Sequence, residues 1–152
     1  MSERYMPKIE LDQSELREGS SYDPPLDAPC LGLKRWKLGA AAGLTHFGVN
    51  LTRIPPGGWS SQRHWHTVED EFVWVVEGEV VLVEEGAETL LRAGEAAGFA
   101  AGAPNGHHLQ NRTNREAVVL EVGSRRRAED ACWYPDLDHG YGPNGRFESP
   151  PT

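Results

Sequence analysis

The sequence predicts an all-β fold, a sandwich or barrel of short strands within one domain. Gly78, Gly86, Gly94 and Gly102 fall eight residues apart, and the segments between them, VVLV, ETLL and AAGF, are short and apolar. Short strands separated by turn residues at this spacing are typical of β-sandwiches and β-barrels. A helical period is nowhere sustained, except weakly at residues 12–18. We therefore expect eight to ten strands and no substantial helix.

The chain divides into three parts. Residues 1–30 are predicted to form an irregular arm, because they are polar and end in SSYDPPLDAPC, whose prolines oppose regular structure. Residues 31–124 form the expected barrel domain, in which LTHFGVNLTRI (Leu44–Ile54) and EAVVLEVGS (Glu116–Ser124) alternate as strands do. Residues 125–152 are dense in Pro and Gly and are also predicted to be irregular. Their aromatic residues indicate that this tail packs on the barrel or on a neighbouring subunit.

Composition excludes several classes of function. The 152 residues carry a net charge of -8, and this balance opposes nucleic-acid binding, which needs clustered Lys and Arg. The N-terminal segment MSERYMPKIELDQSEL has neither the apolar core of a secretory signal nor a membrane-spanning run. We expect a cytoplasmic protein that binds no nucleic acid and no membrane, with Cys30 and Cys132 as free thiols. His46 and His139 are expected to be exposed to solvent.

The segment HWHTVEDE carries the first half of a predicted metal site. In a strand, successive side chains point to opposite faces, so His64 and His66 share a face and can bind one ion together. One carboxylate commonly joins imidazoles in such sites. Strict alternation from His66 favours Asp70 as the acid, whereas a bulge within TVED makes Glu71 eligible. In the next strand Glu71 shares a face with two valines, which suits the barrel lumen, and we therefore favour Glu71.

The second half of the site is predicted in GAPNGHHLQN. A strand that follows Gly106 points His107, Leu109 and Asn111 to one face and His108 to the other. From this pattern alone, either His107 or His108 can complete the site, and we favour His107.

These residues resemble the signature motifs of the cupin superfamily. The first motif is matched in full by Gly58, His64, His66, Glu71 and Gly78 at their intervals. The second motif is similar to Gly94, Gly102, a histidine and Asn111, although Ala100 replaces its usual proline and the loop before His107 is two residues longer. The spacing to Asn111 supports His107 over His108.

This resemblance implies a fold, a ligand set and a cofactor. The fold is a double-stranded β-helix, a jelly-roll barrel, and the implied cofactor is one divalent ion, which the ligand types do not identify among Fe, Mn, Zn, Ni and Co. The implied metal ligands are His64, His66, Glu71 and His107. The segments HWHTVEDEFVWVVEGE, GHHLQNRT and YPDLD are similar to a single-domain bacterial cupin group, some of whose members have a sugar-phosphate-isomerase label by analogy.

Such a site predicts a metal-dependent enzyme acting on a small oxygen-rich metabolite. Three imidazoles and one carboxylate leave about two adjacent positions open on a six-coordinate ion. Isomerase, lyase and dioxygenase chemistry all use such positions, and no general base is assigned. The alternative is a non-catalytic module that binds a small molecule with the help of the metal.

The partner predicted for this chain is a second copy of itself. Phe72, Trp74 and Val76 share the face of their strand that points away from the lumen. Burying this face is easiest in a symmetric homodimer.

Overall fold

Short strands joined by tight turns make up most of the computed structural model, which describes residues 7–152. Within this range the strands are β1 (Leu16–Glu18), β2 (Lys34–Lys37), β3 (Phe47–Ile54), β4 (Trp65–His66), β5 (Glu71–Glu77), β6 (Glu79–Glu84), β7 (Ala87–Arg92), β8 (Ala96–Phe99), β9 (His108–Gln110), β10 (Ala117–Ser124), β11 (Cys132–Tyr134), β12 (His139–Gly142) and β13 (Gly145–Phe147). The helical elements are α1 (Leu38–Ala41) and two 3-10 turns, Leu11–Gln13 and Ala28–Cys30. The all-β prediction is confirmed. Among the described residues, no helix is of a length and hydropathy that would let it cross a membrane.

Two antiparallel sheets form the barrel. The larger has the order β1-β2-β3-β10-β5-β8, and the smaller has the order β7-β6-β9. Side chains from both sheets meet in one core, which includes Ile54, Val75, Val80, Leu109 and Val119. Because neighbours such as β3 and β10 are far apart in the chain, the sheets are wound together rather than folded as simple hairpins. This is the double-stranded β-helix that the resemblance implies.

The predicted turns and faces of the barrel strands agree with the structure. The four evenly spaced glycines all have positive φ, from 74° at Gly86 to 88° at Gly94, a region that side chains with a Cβ rarely adopt. On β5 the side chains of Val73 and Val75 are buried in the core, whereas Phe72 and Trp74 are more than 40% exposed. Glu71 therefore lies on the lumen face of β5, as the alternation of side chains along the strand predicts.

The N-terminal arm lies against the barrel. The prediction at residues 1–6 falls outside the described residues. From residue 7 the arm is mostly without regular structure, but β1 pairs with β2 and extends the larger sheet. The arm ends at Cys30, which is fully buried in the core, and Tyr22 packs against the same core. The arm is thus part of the barrel wall. Cys30 and Cys132 are both free, as predicted.

The C-terminal tail is more regular than the sequence predicts. Strands β11, β12 and β13 form a four-stranded sheet with β4, in which Trp133 pairs with Trp65. One of the glycines that indicated irregularity is instead a place of close approach: a Cβ on Gly140 would overlap the carbonyl of Cys132 and lie 2.6 Å from the Phe147 ring. The tail packs on the barrel, which is one of the two expected positions.

His139 is a second difference in this region. The sequence predicts an exposed side chain, but His139 is buried, with its ring beside those of Tyr134 and Tyr141. Its Nδ1 donates to the carbonyl of Leu137. The prediction was wrong because it treated the tail as irregular, whereas the β11–β12 pair encloses this ring. His46 is exposed, as predicted.

Candidate metal centre

Four side chains that are far apart in the sequence or on different strands converge at one end of the lumen. His66 lies on β4, Glu71 begins β5, and His64 and His107 form an isolated antiparallel bridge just outside the regular strands. The Glu71 carboxylate is 2.8 Å from His107 Nε2, 3.6 Å from His64 Nε2 and 3.7 Å from His66 Nε2. The structure therefore brings together all four residues that the sequence singles out.

The second nitrogen of each imidazole has a partner behind the site. His64 Nδ1 donates to the carbonyl of Gln62 at 2.8 Å, and His107 Nδ1 donates to the carbonyl of Asn105 at 2.9 Å. A carbonyl oxygen only accepts, so these contacts place the proton on Nδ1 in the neutral rings. The Nε2 lone pairs of both rings are thereby turned toward Glu71, as in imidazoles that bind metals.

A carboxylate from the tail orients His66 in the same way, by accepting a hydrogen bond from its Nδ1. Asp130 Oδ2 accepts from His66 Nδ1 at 2.6 Å, while Asp130 Oδ1 accepts from the backbone N–H groups of Val68 and Glu69. Sequence reasoning missed Asp130 because 64 residues separate it from His66. No local motif marks it, since its position depends on how the tail pairs with β4.

Charge within the site favours a cation. Burial alone would raise the pKa of Glu71, but hydrogen bonds from His107 and His64 outweigh burial and hold that pKa well below its usual range. Burial alone would lower the pKa of His64, yet the Glu71 carboxylate raises it. When both rings are neutral, His107 Nε2 and the carboxylate are two acceptors 2.8 Å apart. Only a proton or a cation between them relieves this contact.

The donor set fits a divalent ion of the first transition row. Three imidazole nitrogens and one carboxylate oxygen suit Fe, Mn, Zn, Ni or Co. His64, Glu71 and His107 offer donor atoms that all lie within 4.8 Å of one another. His64 and His66 form a similar group with Cys132, but burial raises the pKa of that thiol to about 12. In the metal-free protein this thiol is therefore protonated at physiological pH.

His108 is turned away from the four residues. Its Nδ1 donates to the carbonyl of Ser61 at 2.7 Å, its Nε2 accepts from the Gln110 amide at 3.0 Å, and its ring meets the edge of Trp59. Burial lowers the pKa of His108 to about 4, so the ring is neutral at physiological pH. Both nitrogens are satisfied within the wall, and the structure brings His107 to Glu71, not His108. Phe99, which no sequence motif marks, stacks on His107 with ring centroids 3.5 Å apart.

Two cavities meet at these residues. A cavity of about 330 Å³ opens in front of them, within the size range of small-molecule sites. A second cavity, of about 80 Å³, adjoins the same residues. His66, Glu71 and His107 line both. The candidate metal centre is thus accessible from a space large enough for a small metabolite.

The chain is similar to known proteins over the barrel and beyond it. A family model described as a cupin domain matches residues 50–123. A crystal structure from Silicibacter pomeroyi, named as a sugar phosphate isomerase from a cupin superfamily, is 42% identical, with 96% of this chain and 97% of that chain covered and a TM-score of 0.86. No curated protein matches the chain at a significant level.

Two further structures extend this comparison. One, from Acidithiobacillus ferrooxidans, has a provisional sugar-phosphate-isomerase name and is 29% identical, with 76% of this chain and 74% of that chain covered and a TM-score of 0.71. The other is the polyketide cyclase RemF from Streptomyces resistomycificus, which is 21% identical over 82% of this chain and 83% of that chain, with a TM-score of 0.61. The likeness to RemF shows the fold alone.

Proposed function

Because this chain belongs to the cupin superfamily, we propose that it is a metal-dependent isomerase acting on a small, oxygen-rich sugar metabolite. One observation carries this proposal: the Nε2 atoms of three imidazoles face a single carboxylate at the end of a cavity. The proposed ligands of one divalent ion are His64, His66, Glu71 and His107. The sugar-phosphate-isomerase names of the proteins from Silicibacter pomeroyi and Acidithiobacillus ferrooxidans support isomerisation over lyase or dioxygenase chemistry.

The substrate would bind in the larger cavity. When bound, a divalent ion supplies a Lewis acid for the carbonyl and hydroxyl oxygens of the sugar. Ser61 lines the cavity beside His64 and offers a hydroxyl to a substrate oxygen. Phe99 and His107 line the cavity with stacked rings, which present an apolar face to the substrate.

Proton transfer between neighbouring carbons requires a base besides the ligands. Glu121 is the group we assign, because it lies on the inner face of β10 and lines the cavity. Arg35 Nε donates to its Oε1 at 2.8 Å, and the Thr52 hydroxyl donates to the same carboxylate. These contacts hold the carboxylate in one position facing the cavity. Glu69 and Asp70 also line the cavity, from the segment that precedes β5.

Two variants, compared in metal content and in isomerisation rate, test the proposal. His64→Ala should lose the bound ion and all isomerisation, whereas His46→Ala, which removes an exposed histidine outside the site, should keep both. Metal is measured by elemental analysis after reconstitution, and turnover of sugars and sugar phosphates by proton NMR in heavy water, where isomerisation introduces deuterium. Wild-type protein that takes up no ion would overturn the proposal. Tight binding of a sugar without product would instead identify a non-catalytic binding module.

A further inference from the structure

Arginines without an acidic partner gather at the larger cavity. Among the arginines in residues 7–152, those with an ion pair are Arg35, Arg53, Arg63, Arg92, Arg112, Arg126 and Arg146. Four arginines in the same range make no ion pair with a described residue, and three of these four line the cavity. We call these three, Arg17, Arg125 and Arg127, the basic wall. In a chain with a net charge of -8, composition does not account for unpaired cations meeting in one place.

The position of Arg125 depends on a glycine. Gly48 lies on the inner face of β3, and the Arg125 guanidinium lies directly over it. A Cβ on Gly48 would overlap that guanidinium. The bare backbone therefore allows the guanidinium of Arg125, an exposed residue, to lie across β3 at the edge of the cavity.

Glycines also form the floor between this wall and the candidate metal centre. Glu71 pairs with Gly123 on β10, and Gly123 pairs with Gly48 on β3. Two strand spacings separate Glu71 from Gly48, which is roughly 10 Å. No side chain rises from the floor between them, so an extended molecule can lie across Gly123 with one end at Glu71 and the other at Arg125.

A half-buried amide, that of Asn50, lies along the same floor. Asn50, next to Gly48 on the inner face of β3, lines the cavity, and its buried Oδ1 has no hydrogen-bond partner among the described residues. Buried polar atoms without a partner are rare in proteins, so this oxygen calls for a donor from a ligand. A hydroxyl group in the middle of a sugar is such a donor.

We propose that the basic wall binds the phosphoryl group of a phosphorylated sugar, whose carbonyl end lies at the candidate metal centre and whose hydroxyl groups meet Asn50. The assignment of the carbonyl end rests on the proposed function, whereas the phosphoryl site itself does not. Guanidinium groups present paired N–H donors that match phosphate oxygens, and a phosphomonoester has nearly two charges to offset three cations. The basic wall thus selects phosphorylated over neutral sugars.

Binding of inorganic phosphate to the metal-free protein tests the phosphoryl site by itself. Isothermal titration calorimetry should show phosphate binding to wild-type protein. In the double variant Arg125→Ala/Arg127→Ala the affinity for phosphate should fall about tenfold or more. The matched control is Arg126→Ala, because Arg126 lies between them, pairs with Glu129 and does not line the cavity. Gly48→Ala should weaken phosphate binding as well, since it displaces Arg125. Absence of binding to wild-type protein, or an equal loss in Arg126→Ala, would overturn the inference.

Two more comparisons separate this inference from the proposed function. In His64→Ala, which is expected to lose the ion, phosphate should still bind as in wild-type protein. With the metal-loaded protein, ribose 5-phosphate should bind more tightly than ribose, and this preference should vanish in Arg125→Ala/Arg127→Ala. Phosphate binding without isomerisation of any sugar would leave the phosphoryl site standing and refute the function. Isomerisation with equal affinity for ribose and ribose 5-phosphate would refute the phosphoryl site and leave the function standing.

Discussion

At the scale of single residues, the proton and the metal ion compete for one position. The Glu71 carboxylate raises the pKa of His64 against the opposing effect of burial, so metal-free protein keeps a proton in the site above the usual titration range of histidine. Since a metal ligand must be unprotonated, the ion has to displace this proton. Metal affinity should therefore be constant at pH values above the raised pKa of His64 and fall about tenfold per pH unit below it. Competition titrations of Zn²⁺ against a chelator between about pH 5.5 and about pH 8 measure this.

The control for this prediction is Glu71→Gln. Without the carboxylate the pKa of His64 should drop, so the pH at which affinity begins to fall should also drop, although the affinity itself is weaker. The pKa can be followed separately by NMR of the His64 ring in metal-free protein. An affinity that does not change with pH in wild-type protein would contradict the coupling of His64 to Glu71.

Part of the site at this scale follows from sequence alone. Because side chains alternate along a strand, the sequence predicts that His64 shares a face with His66 and that Glu71 shares a face with Val73. The structure has the same faces. The hydrogen-bond partners behind the rings do not follow from sequence. The carbonyls of Gln62 and Asn105 are only two residues from the rings they hold, but backbone oxygens carry no residue-type signal.

At the scale of elements, the tail acts on the site through Asp130. Asp130→Asn keeps an oxygen for the N–H groups of Val68 and Glu69 but turns an amide N–H toward His66 Nδ1. His66 would then adopt the other tautomer, with its proton on Nε2 and facing Glu71. We expect a loss of metal affinity of about 10- to 100-fold with little change in thermal stability. Metal titration and a melting curve measure the two quantities.

Two variants complete this test. Glu129→Ala removes the neighbouring acid, which pairs only with exposed Arg126 among the described residues, and should leave metal affinity unchanged. Asp130→Ala removes the oxygen that both backbone N–H groups need, and should lower the melting temperature as well as the affinity. Unchanged affinity in Asp130→Asn would mean that the tail supports the fold and does not orient His66.

The elements show where sequence reasoning succeeds and where it fails. Barrel strands β3, β5, β6, β7, β8 and β10 were predicted near their observed positions, because alternation and glycine turns are local signals. The tail strands were missed because each has only three or four residues and their pairing with β4 is non-local. Contacts such as Arg63 with Asp136, which hold the tail beside His64, leave no periodic pattern.

At the scale of the whole molecule, the outer face of the larger sheet is apolar from strand to strand. Leu16 pairs with Trp36, Trp36 with Leu51, Leu51 with Leu120 and Leu120 with Trp74, so one apolar row crosses five strands. The two ends of the row are exposed, Leu16 at 40% and Trp74 at 43%, and the three side chains between them are half-buried. Soluble monomers rarely expose a continuous apolar face of this kind. Alternation predicted the β5 part of this row, but the register that aligns the strands is visible only in the structure.

This face is where we expect the homodimer to form. A symmetric pair would place the same row of each subunit against its copy and leave the cavity, which opens on the opposite side of the sheet, accessible. Light scattering after size exclusion should give twice the chain mass of 16.8 kDa for wild-type protein. For Trp74→Glu it should give the mass of one chain. Leu90→Glu is the matched control, because Leu90 is exposed to a similar extent but lies on β7 of the other sheet. The Leu90→Glu variant should remain a dimer, since the introduced carboxylate lies outside the apolar row. A monomeric wild-type protein would contradict the interface, whereas a folded, monomeric Trp74→Glu that keeps its metal would show that the site is complete within one chain.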